Sequence, residues 1–145
     1  MKNPGKVNEA LACFNDGFNC SQSILSTYCE EFGMDKKMAL QIACGFGAGM
    51  GRQQETCGAV TGAYMLIGLK YGKFIIDDEP AKEKTYALMR EFTRLFKERN
   101  KTTNCHELLG VDLINGDRKT AVDRVKTLCP QIVRDAAEII EQVLF

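Results

Sequence analysis

Apolar residues recur every three to four positions along most of the chain, the spacing that places them on one face of an α-helix. Ile24, Leu25, Tyr28, Cys29 and Phe32 form one such stripe, and Leu88, Met89, Phe92, Leu95 and Phe96 another. The two-residue alternation of a half-buried strand is scarce. The pattern predicts helices near residues 4–15, 20–32, 36–44, 58–71, 80–100, 105–109, 117–128 and 130–144. Between them, glycine, aspartate and asparagine supply turn chemistry at Gly33-Met34-Asp35, along Gly45 to Gly51, and at 71–79 and 110–116. No linker, low-complexity tract or internal repeat divides the sequence. The expectation is an all-α fold, a single domain over residues 1–145 built as a bundle of about six to eight helices.

Two of these helices carry further information. The last is predicted to open with Pro130 at its first position, where a missing N–H costs nothing. It then puts Ile132, Val133, Ala136, Ile140, Val143 and Leu144 on one face. That face must be covered, by the chain's own core or by a second subunit in a homodimer. In the fourth helix Gly58 and Gly62 are four residues apart, as are Ala59 and Ala63, so one side is small and suits close approach of another helix. Its apolar core, Ala59 to Leu69, is 11 residues long and includes two glycines. A membrane span needs about 20, so this is read as a buried helix.

Composition narrows the function classes. Lys plus Arg and Asp plus Glu both number 19, and a net charge of zero gives no general attraction to a nucleic-acid backbone. The N-terminal residues, Met1-Lys2-Asn3-Pro4-Gly5-Lys6, contain no apolar leader core or twin arginine, and a cytoplasmic location is expected. At 145 residues, with 45% hydrophobic residues, the chain is long enough to hold its fold without disulfides. Its seven cysteines therefore need another explanation, metal binding or redox chemistry among them.

The cysteines divide by position. Cys13, Cys29 and Cys44 fall late in predicted helices beside apolar neighbours (Leu11 and Phe14, Leu25 and Phe32, Leu40 and Ala43), and are read as core. Cys20, Cys57, Cys105 and Cys129 are each predicted to open a helix: Cys20 after Asn19, Cys57 after Thr56, Cys105 after Asn104, and Cys129 before Pro130. Free backbone amides and the positive end of the helix dipole stabilise a thiolate there, the form that binds metals and attacks disulfides. No two cysteines are separated by two residues, so the local motifs of zinc fingers, thioredoxins and bacterial ferredoxins are absent. Any shared site must be assembled by folding.

The segment Gly45-Phe46-Gly47-Ala48-Gly49-Met50-Gly51-Arg52 fits neither the dinucleotide fingerprint nor the Walker phosphate loop. Its glycines allow positive φ angles and close backbone approach. Gly45, Gly47, Gly49 and Gly51, with Gly58, are thus candidates to cradle a cofactor, the alternative being a plain tight turn. Arg52 either faces a bound anion or is an ordinary surface residue. His106, the sole histidine, excludes sites with two histidine ligands and is read as a partly exposed helix-start residue. Whether it or Cys44 joins a cysteine site is open.

The order Cys20, then Cys57-Gly58-Ala59-Val60-Thr61-Gly62, then Cys105 and Cys129 resembles the C_GCAxxG_C_C family of redox-active proteins. The resemblance spans nearly the whole chain, and it implies that Cys20, Cys57, Cys105 and Cys129 are the family's four cysteines, with an iron–sulfur group suspected. Three roles follow as expectations. The four cysteines hold an iron–sulfur cluster for electron transfer to a redox partner protein; or they cycle as metal-free thiols and disulfide; or they bind zinc in a non-enzymatic adaptor domain.

Overall fold

A computed structural model describes residues 5–145, and it is all-helical. The elements are α1 (Val7–Asn15), α2 (Cys20–Tyr28), a 3-10 turn (Cys29–Phe32), α3 (Lys36–Ala43), a 3-10 turn (Cys44–Phe46), a short turn α4 (Gly47–Met50), α5 (Gly58–Tyr71), α6 (Glu79–Asn100), α7 (Cys105–Leu109) and α8 (Arg118–Leu144). Five starts carry a side-chain cap, among them Asp78 on α6, which accepts from Ala81 N. Asn19 and Gln22 form a reciprocal capping box on α2, and Asp35, Asn104 and Asp117 accept from backbone amides of α3, α7 and α8. The N-terminal helix predicted from residue 4 begins at Val7, and Pro4 lies outside the described residues.

At the centre, α5 runs against α2. Helix α5 is apolar all round, with Gly58, Ala59, Val60, Gly62, Ala63, Leu66 and Ile67 buried. Such a helix must be enclosed. The small face predicted at Gly58 and Gly62 is where α2 comes in: a Cβ on Gly62 would sit 2.9 Å from the Ser21 carbonyl oxygen and 3.1 Å from the Ile24 Cβ. Of the nine residues of α2 only Gln22 is not fully buried. Its small hydroxyl residues permit this approach and bond locally, Ser23 Oγ donating to the Asn19 carbonyl at 2.8 Å and Thr27 Oγ1 to the Ser23 carbonyl at 2.7 Å. Around this pair stand α1, α6 and α8, adding Phe92, Phe96, Val133, Ala136, Ile139 and Ile140 to the core. Each large apolar side chain enclosed in this way contributes about 1.5–3 kcal/mol.

The C-terminal region departs from expectation. The two predicted helices, 117–128 and 130–144, are one helix of 27 residues with Pro130 inside it. Proline in a helix interior removes one hydrogen bond and costs about 3 kcal/mol. Burial on both sides of Pro130 offsets this, because Cys129 before it and Ile132, Val133, Ala136 and Ile140 after it all belong to the chain's own core. Arg99 of α6 also bonds Asp135 of α8 at 3.2 Å. The apolar face that a second subunit might have covered is covered from within.

The glycine segment is more unusual than a flexible loop. Ala48, Gly49, Met50, Gly51 and Arg52 are all left-handed, with φ of 53°, 66°, 67°, 64° and 66°, and Gln54 follows at 58°. They wind a single left-handed helical turn, closed by Gly51 N donating to the Gly47 carbonyl at 3.0 Å and Glu55 N to the Gly49 carbonyl at 3.0 Å. Left-handed backbone costs roughly 1–2 kcal/mol for each residue bearing a Cβ. Strain of this kind persists only where surrounding structure enforces it.

Candidate functional site

Four separate segments bring Cys20, Cys57, Cys105 and Cys129 to one place. Cys20 is the first residue of α2, Cys57 the residue that caps α5, and Cys105 the first residue of α7. Cys129 lies in the middle of α8, so the expectation that it opens a helix is corrected: Pro130 is an interior residue. Cys57 and Cys105 are brought together by the chain's isolated antiparallel bridge, Thr56 with Asn104. There Cys57 N donates to the Thr103 carbonyl and Cys105 N to the Glu55 carbonyl, each at 2.7 Å. A bridge between two stretches remote in sequence leaves no periodic signal.

All four cysteines line one cavity of about 600 Å³, and each is only 5–8% exposed. Phe14, Phe18, Leu108, Leu109, Leu113 and Ile132 complete much of its apolar wall. All four are free thiols. Among the described residues, no three or more Cys, His, Asp or Glu side chains are already gathered in a geometry that would hold a single metal ion.

Burial reverses the expected thiol electrostatics. Enclosure in the apolar cavity pushes Cys57 up to about 12 and Cys105 up to about 11, from an ordinary 9.0. For Cys57 the backbone amides of Ala59 and Val60, at the start of α5, pull the other way and lose. The Cys20 thiol shares its proton with Cys129, and this raises Cys20 and lowers Cys129. The start of α5 does favour thiolate at Cys57, but the desolvation that comes with a closed cavity is larger. It follows that the folded metal-free protein keeps protons at Cys57 and Cys105 that an unfolded chain releases above pH ~9. Stability from these groups is complete below that pH and lost as pH rises through about 11 and 12. The urea midpoint of the reduced metal-free protein is expected to fall between pH ~9 and ~11; a midpoint that rises over this interval would contradict neutral buried thiols.

The glycines serve the site indirectly. Of the five proposed to cradle a cofactor, Gly58 lines the cavity, and Gly45, Gly47, Gly49 and Gly51 do not. Gly47 and Gly49 are needed for close approach, since an added Cβ would lie 2.3 Å from Asn19 Nδ2 and 2.5 Å from Gln54 Cα respectively. The amides directed at a sulfur come instead from Ala59 and Val60.

Gln54 is a site residue that sequence reasoning missed. Buried and left-handed, it accepts from Leu113 N at 2.9 Å, donates to the Val111 carbonyl at 2.8 Å, and its side chain favours thiolate at Cys105, an effect smaller than that of burial. A glutamine just after a glycine-rich turn gives no sequence cue to this role.

The remaining candidates lie apart. Cys29 is core, as expected. Cys13 is only half-buried, against Ser26, and Cys44 is exposed, so the core reading fails for both. Cys44 is turned outward because its helix ends at Ala43 and the chain tightens into a 3-10 turn there. His106 is exposed at the start of α7 and absent from the cavity wall.

Fold and site together define an all-helical protein with a buried four-cysteine cavity. The model of the C_GCAxxG_C_C family, described as "Putative redox-active protein", matches residues 18–143, and the chain belongs to that family. No curated protein and no solved structure matches it. Among the described residues no helix is long and apolar enough to cross a membrane.

Proposed function

We propose that Cys20, Cys57, Cys105 and Cys129 hold an iron–sulfur cluster and that the protein transfers electrons to a partner. One observation carries the reading: four thiols from four segments line a single apolar cavity of about 600 Å³. Tetrahedral zinc, with Zn–S bonds near 2.3 Å, requires four sulfurs within about 3.8 Å of one another. No such grouping occurs among the described residues, and a cavity of about 600 Å³ has room for a polynuclear group with several metal positions. The amides of Ala59 and Val60 and the side chain of Gln54 favour thiolate at Cys57 and Cys105, and such polar neighbours are a common means of tuning a cluster's potential.

Anaerobic purification followed by visible spectroscopy and iron and sulfide analysis tests this. The expected product is brown and contains iron and acid-labile sulfide in comparable amounts. A colourless protein that takes up neither on reconstitution would overturn the assignment.

The contact of Cys20 with Cys129 favours a second reading. These two thiols would form a disulfide by exchange with an oxidised disulfide partner, losing two protons and two electrons as the partner's disulfide is reduced to two thiols. Alkylation and mass spectrometry of oxidised protein would then show this pair and no other.

A further inference from the structure

A second cavity, of about 550 Å³, adjoins the cysteine cavity. Ala48, Leu113, Val125 and Lys126 line both, so one wall is common to the two. Its interior is apolar, with Ala121 buried and Leu113 and Val125 half-buried. Arg52, Arg118 and Lys126 are exposed along it, and no carboxylate is among its lining residues. Among the described residues these three cations take part in no ion pair. Asp117 caps α8 through Thr120, Asp112 accepts from the amides of Ile114 and Asn115, and the exposed Asp123 and Glu55, near Lys126 and Arg52 in sequence, line no part of the cavity. The backbone of Arg52 belongs to the strained left-handed turn.

A volume of this size is ordinary for a small-molecule site, and an apolar floor with convergent charges of one sign selects for a molecule with both features. We propose that this cavity binds a small organic anion with an apolar or aromatic body, its charge at Arg52, Arg118 and Lys126 and its body against Ala121 and Val125. The shared wall then sets that body beside the four-cysteine cavity. Binding does not depend on whether the cysteines carry a cluster, so it is measured on the reduced, metal-free chain.

The probe is anilinonaphthalene sulfonate, titrated by fluorescence and by amide chemical shifts, with N-phenylnaphthylamine as the uncharged comparison. Shifts are expected to concentrate at Ala48, Val122 and Val125. The double variant R52Q/R118Q, whose fold is checked by circular dichroism, should bind the anion about tenfold more weakly, as loss of charge-assisted contacts implies. The neutral comparison compound should also bind more weakly than the anion. Because Phe74 and Ile76 are widely exposed on the loop between α5 and α6 and offer an apolar alternative, F74S/I76S is the control and should bind as well as the parent. Shifts centred on residues 73–76, loss of binding in F74S/I76S, unchanged affinity in R52Q/R118Q, or no saturation would each overturn the proposal.

Discussion

Replacing Gly49 by alanine should destabilise the protein by about 3 kcal/mol or more, whereas the same change at Gly51 should cost about 1 kcal/mol. Both glycines are left-handed, with φ of 66° and 64°, so both variants carry the same backbone penalty. They differ in what a methyl group would meet. At Gly51 nothing lies within 4 Å, whereas at Gly49 the new Cβ would be 2.5 Å from Gln54 Cα and 2.6 Å from Glu55 N. These are backbone atoms and cannot rotate away. Relief requires moving the 54–57 segment, which carries the hydrogen bonds to Thr103, Cys105 and His106, and Cys57 itself. Urea midpoints of the two variants would measure the difference; equal losses would mean that the turn is not packed as described.

Much of the fold was legible because helices announce themselves through apolar spacing and caps. The α5 and α7 spans agree with expectation residue for residue, and the small face of Gly58 and Gly62 foretold how α2 and α5 meet. Pro130 misled because local rules place proline at a helix start, and only tertiary burial on both sides reveals that a helix can pass through it. The left-handed turn was illegible for a related reason. Gly49 and Gly51 permit that backbone, but Ala48, Met50, Arg52 and Gln54 disfavour it and adopt it under packing.

The site was partly legible. Position in the chain separated Cys20, Cys57, Cys105 and Cys129 from the others, and the cavity brings those four together. Helix-start position accounts for only part of this, since Cys129 opens no helix and burial outweighs helix-start stabilisation at Cys57. Cys44 shows the converse error: apolar neighbours in sequence did not bury it. Gln54 depends on a backbone conformation and two hydrogen-bond partners, Val111 and Leu113, that are distant in sequence, so no local pattern marks it.

The second large effect concerns the four sulfurs as a set. If they share one cofactor, removing any one leaves a metal position without its thiolate and a gap in the shell, whichever segment supplied it. Serine in place of Cys20, Cys57, Cys105 or Cys129 is therefore expected to reduce retained iron and sulfide to less than about a tenth of the parent level, given that a lost ligand costs more than the 10–100-fold typical of its supporting partners. Serine at Cys13 or Cys44, which line no part of the cavity, should leave loading unchanged. Circular dichroism on each variant separates loss of cofactor from loss of fold. The decisive measurement is thus iron and sulfide content across these six variants after anaerobic reconstitution. The account predicts four that fail together and two that load normally; full loading in any folded variant of the four, or equal loss at Cys44, would contradict a single four-cysteine site.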